Sequence, residues 1–75
     1  MEKENETTIY IPLLNEGINV WRPVQAKQLG TDVFKITSIN DDETEEWQFN
    51  YGERVRCTHK KLNEGTHLVA TEKFI

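Results

Sequence analysis

Thr8-Ile9-Tyr10-Ile11-Pro12-Leu13-Leu14, followed at once by Asn15-Glu16-Gly17, is the stretch on which the fold turns. β-Branched and aromatic residues dominate its first half, and these favour a pleated, half-buried strand. The two-residue period of a strand puts Ile9, Ile11 and Leu13 on one face and Tyr10 on the other. Pro12 has no N–H to give a ladder, so the strand is expected at a sheet edge or bulged there. The Asn-Glu-Gly triplet suits a three-residue hairpin loop: a type I turn, then a left-handed residue where glycine has no Cβ to clash. The same letters recur as Leu62-Asn63-Glu64-Gly65. Little else in the flanks matches, so this reads as recurring turn chemistry rather than an internal repeat.

Working outward, a longer second strand is expected from Ile18 to about Gln28, carrying Val20, Trp21, Arg22, Pro23, Val24 and Ala26. Pro23 again predicts a bulge or an unpaired stretch, which would let a long strand bend. Leu29-Gly30-Thr31 reads as a turn. Asp32 to Ile39 reads as a third strand, with Phe34 and Ile36 inward and Lys35 and Thr37 outward. Five of the six positions from 41 to 46 are acidic. Like charges this dense repel one another, which predicts a solvated loop. Trp47-Gln48-Phe49 then alternates aromatic and polar, and Asn50-Tyr51-Gly52 reads as a turn. Glu53 to Lys61 is a strand with Val55 and Cys57 inward and Arg54, Arg56 and Thr58 outward. Thr66 to Lys73, with Leu68, Val69 and Ala70, is the last. No segment keeps helical spacing over three turns. Short strands at ~8–12-residue spacing point to an all-β fold. In a chain this short, a five-stranded SH3-like barrel over residues 8–75 buries one face of each strand and limits exposed edges. Residues 1–7 are charged and aperiodic and are expected to be a disordered tail.

The chain has 75 residues and begins at Met1, which reads as a complete small gene product of one domain. A chain of this length buries only about 60% of the surface its unfolded form exposes. With 36% apolar residues, it has little core to give up to an enclosed substrate cavity of ~300 Å³ or more. No enzyme activity and no cofactor are therefore expected. Cys57 is the one cysteine, which rules out an internal disulfide framework. The N-terminus is polar and acidic and lacks the pattern of a signal peptide. No apolar run approaches the ~20 residues that span a bilayer. A cytoplasmic location is expected. The net charge is −4 and the pI about 5.1. Such a chain is a poor default binder of nucleic acid, whose affinity rests on phosphate contacts, or of an anionic membrane.

Pro12-Leu13-Leu14-Asn15-Glu16-Gly17, then Val20-Trp21-Arg22-Pro23-Val24 and Ala26, resembles the pattern of a family of short uncharacterised bacterial proteins. The later Glu46, Trp47, Gln48, Phe49, Gly52, Val55, Arg56 and Cys57 match the same pattern, so the likeness runs from about residue 9 to about 71. The family implies no established activity. Gly17, Trp21 and Arg22, with the segment from Trp47 to Gly52, are also loosely similar to Tudor-type and other SH3-like barrels. That likeness bears on fold and not on methyl-lysine reading.

Cys57, His59 and His67 lack the paired short spacings of a tetrahedral zinc site, so a buried thiol and surface histidines are expected. Cys57 and His59 lack the orienting third group of a nucleophilic pair. Asp41 to Glu46 does not place the glycine and glutamate that an EF-hand loop requires, so no metal is expected.

The aromatics are the better candidates. Trp47 and Phe49 both face inward if their segment is a regular strand, whereas the side of Trp21 stays open, because a bulge at Pro23 would reverse it. The leading expectation is a protein-interaction module in which Trp21, Trp47 and Tyr51, rimmed by Asp41, Asp42, Glu43, Glu45 and Glu46, grip a basic or proline-containing segment of a partner. One alternative is a nucleic-acid-binding barrel using Arg22, Arg54, Arg56 and Lys60. Another is a structural or homo-oligomeric role through an edge strand.

Overall fold

Ile9 and Ile11 are fully buried while Tyr10 between them is partly exposed, the period-two signature of a strand covering a core on one face. The same alternation recurs around the molecule: Val24 and Ala26, Phe34 and Ile36, Val55 and Cys57 all point inward. The computed structural model describes residues 6–16, 20–62 and 65–74. Its strands are β1 (Glu6–Leu14), β2 (Trp21–Gln28), β3 (Val33–Ile36), β4 (Glu46–Trp47), β5 (Arg54–Leu62) and β6 (Gly65–Lys73). β1 pairs with β2, β2 with β3, β3 with β5 and β5 with β6, all antiparallel. A parallel contact of β6 with β1 at Tyr10 and Val69 closes the ring. Five hydrogen-bonded strands thus form the small closed all-β sheet of an SH3-like barrel, and the two-residue β4 lies along β1. No helix among the described residues is long and apolar enough to cross a membrane.

Phe34, Ile9, Ile11, Ile36, Val55 and Cys57 fill the interior, and Trp47 and Phe49 close it at one side. Burial raises the Cys57 thiol to about 11, with Asp32 adding to the shift, so it is a neutral apolar filler at ordinary pH.

Several element boundaries differ from the sequence reading. Glu6 and Thr7, expected in the tail, open β1 opposite Lys27 and Ala26; residues 1–5 lie outside the described residues. β2 begins at Trp21, and Ile18 and Asn19 also lie outside them. β3 ends at Ile36, because the next positions bond differently: the Thr37 N–H donates to the Gln25 carbonyl and the Gln25 N–H to Ser38 Oγ. In the first Asn-Glu-Gly turn it is Asn15 that takes a left-handed conformation, at φ 61°, one that asparagine tolerates. Gly17 is outside the described residues. In the second turn, Gly65 has φ 130°.

The bulges expected at the prolines are absent. The β1–β2 register runs unbroken from Glu6↔Lys27 to Pro12↔Trp21, with Tyr10 opposite Pro23. Gln25 turns its backbone groups away from β1, so Pro23, two residues earlier, does the same. Pro12 likewise turns away from β2, since its carbonyl accepts from the Gln48 N–H at 3.1 Å. Neither proline removes a β1–β2 hydrogen bond. The register shift falls instead between Arg56 and Cys57, where Thr71 of β6 is the extra residue and its hydroxyl donates to the Arg56 carbonyl.

Candidate binding groove

Because Val24 and Ala26 point inward and the β1–β2 register is unbroken, the period of β2 turns Trp21 outward, and it is half-buried there. Pro12 lies directly across from it on β1. The same face continues through Tyr10, whose ring packs on His67 at 4.7 Å between centroids, and Val69, opposite Tyr10 on β6, is buried at the floor of this region. Lys60 on β5 completes it, with Nζ 5.4 Å from the Trp21 ring centroid. An open groove of about 260 Å³ runs here, lined by Pro12, Leu13, Val20, Trp21, Lys60 and Val69, with Ala70 and Thr71 along its β6 side.

The groove follows from the backbone. Tyr10 is paired with β6, but two residues on Pro12 faces the same way with no N–H to donate. By Leu13 and Leu14 that edge of β1 is paired with Trp47 and Glu46 of β4. The barrel wall therefore parts between β1 and β6 just beyond the single Tyr10–Val69 pair, and the lining side chains flank the parting.

The expected aromatic–acidic patch does not assemble. Trp47 is 7% exposed and belongs to the core, with only its Nε1–H donating outward, to Glu45 Oε1 at 3.1 Å. A ring packed in the core has no face left for a partner. Tyr51 is 60% exposed but lies elsewhere. Its neighbour Gly52 bonds to the Ile36 carbonyl, and Ile36 sits opposite Ala26. Trp21 is five residues away along β2, about 16 Å at ~3.3 Å per residue. The acidic rim is partly committed as well. Glu45 accepts two hydrogen bonds from Arg22, one of them from Nε at 3.1 Å, and Glu46 accepts from Asn15. The hydrogen bonds from Arg22 and then Trp47 hold the Glu45 carboxyl below its ordinary value, and the Arg22 guanidinium is raised in turn. Asp42 is lowered by the Thr44 hydroxyl and backbone N–H, which bond to it and shape the loop. Asp41 and Glu43 are exposed.

The four basic residues expected to serve nucleic acid are also dispersed. Arg22 is held by Glu45. Arg56 lies 3.5 Å from Glu72 and over the Phe74 ring at 5.4 Å, and Lys60 covers Trp21. Arg54 is exposed, and register places it beside Lys35, a neighbour that the sequence reading did not pair with it. Among the described residues no three His, Cys, Asp or Glu side chains gather as a metal site. His59 shares a face with Cys57, whereas His67 lies on the other with Lys60.

No protein family, curated protein or solved structure matches this chain.

Proposed function

We propose that this domain is a cytoplasmic protein-interaction module that binds a proline-containing segment of a partner along the Trp21 groove. The observation that carries this reading is a half-buried tryptophan on the outer face of the barrel, lining an open groove with Pro12, Leu13 and Val20. Proline-rich segments are pre-extended and dock on aromatic-lined grooves of this kind. A basic segment fits less well than the sequence alone suggested. The Trp21 ring already holds the Lys60 ammonium, and an incoming cation has to displace it.

The test is binding by the wild type and by Trp21→Ala and Tyr51→Ala, each checked for folding by circular dichroism. Trp21→Ala should weaken binding by ~2 kcal/mol or more, as interface tryptophans do, and Tyr51→Ala should leave it unchanged. A folded Trp21→Ala protein that binds the same partner as tightly as wild type would refute the proposal.

A further inference from the structure

Among the described residues, Lys60 is the one charged side chain lining the groove. His67 lies across from it on β6, while its chain neighbours His59 and Lys61 turn to the other face of β5. Among the described residues no carboxylate lines the groove; Glu45 is bonded to Arg22, Glu46 to Asn15 and Glu72 is paired with Arg56. Among the described residues, the groove thus carries one positive charge on a domain of net charge −4.

Resting on the function proposed above, we infer that the partner segment is acidic at one position: it carries a single carboxylate that pairs with Lys60 beside the proline seated on Trp21. A carboxylate supplies the charge that the groove lacks, and it draws the ammonium off the ring, freeing that face for the proline. One acid is favoured over a run of acids. A run would meet the repulsion of the whole acidic domain, while a single carboxylate at contact distance meets mainly Lys60. A basic segment would meet the like charge of Lys60 instead.

Selection from a displayed library of short peptides, each with a central Pro-x-x-Pro core and random flanks, tests this. The wild-type domain is the bait and folded Trp21→Ala is the counter-selection. The expected result is one Asp or Glu enriched at a fixed distance from the core. Lys60→Glu should replace that preference with Lys or Arg. Lys60→Met, which keeps an aliphatic stem over Trp21, should weaken the selected peptide about fivefold, the scale of a partly exposed ion pair. Neutral or basic flanks, or an acidic preference that survives Lys60→Glu, would overturn the inference while leaving Trp21-dependent proline binding in place. No enrichment that depends on Trp21 would take the functional proposal down as well. Sedimentation of the free domain runs alongside. A dimer dissolved by Lys60→Glu would give the groove to the acidic loop of a second copy and refute the inference.

Discussion

The two tryptophans are the sharpest test of the fold and the groove together, because the structure gives them opposite roles. Trp47 is buried among Phe49, Leu13 and the barrel interior, and its indole N–H is bonded to Glu45. Truncating a buried Trp to Ala costs about 3–5 kcal/mol, and the lost hydrogen bond adds about 1 kcal/mol. A domain of this size has roughly 4–11 kcal/mol of stability in all, so Trp47→Ala should leave it barely folded. Trp21 is half-buried on the outer face, and its one strong specific contact is the Lys60 ammonium. An exposed cation–π contact contributes about 0.5–1 kcal/mol, so with partial burial Trp21→Ala should cost only about 1–2 kcal/mol. In a domain this small each kcal/mol moves Tm by about 4–8 °C. Thermal and urea unfolding followed by circular dichroism would separate the two. The single variants Trp21→Phe and Trp47→Phe each leave one tryptophan to report. Acrylamide should quench Trp21, left in Trp47→Phe, far more strongly than Trp47, left in Trp21→Phe. If Trp21→Ala costs as much as Trp47→Ala, Trp21 is a core residue and the groove argument fails.

Acid should act through Glu45. Its carboxyl is held below the ordinary value, so its contribution is present above the unfolded carboxylate range, about pH 4.3, and is lost as pH falls through the lower folded value. Glu45→Gln should flatten the acid limb of a Tm-against-pH curve, and Arg22→Ala should flatten it similarly; curves parallel to wild type would remove the pair from the account. Cys57 runs the other way. Its thiol is raised by burial to about 11, so stability is full below the unfolded value, about pH 8.5, and declines as pH climbs toward 11. At pH 8 a disulfide reagent should label the native protein only as fast as it unfolds, and prompt labelling without denaturant would show that Cys57 is accessible.

Which way each side chain faces was legible in the residues themselves. Ile9 with Ile11, Phe34 with Ile36, Val55 with Cys57, and Trp47 with Phe49 lie inward as the alternation indicates. Trp21 was the exception: a bulge at Pro23 would have reversed it, and only the unbroken β1–β2 register turns it outward. Facing is a local property, because the pleat repeats every two residues whatever the strand is paired with. The turn at Gly52, with φ 85°, was legible too, since that backbone suits a residue without a Cβ.

Which side chains meet was decided by the tertiary structure. Trp21 sits near Lys60, 39 residues on in the chain, and not near Tyr51; Arg22 meets Glu45; Arg54 stands beside Lys35. The prolines show the same division. Their missing N–H groups could be read from the sequence, but whether each interrupts a ladder depends on which neighbour that edge faces. Pro23 faces away from β1, and Pro12 faces the parting between β1 and β6 that opens the groove. Register and ring closure are long-range choices made by the whole core at once, so no local period contains them.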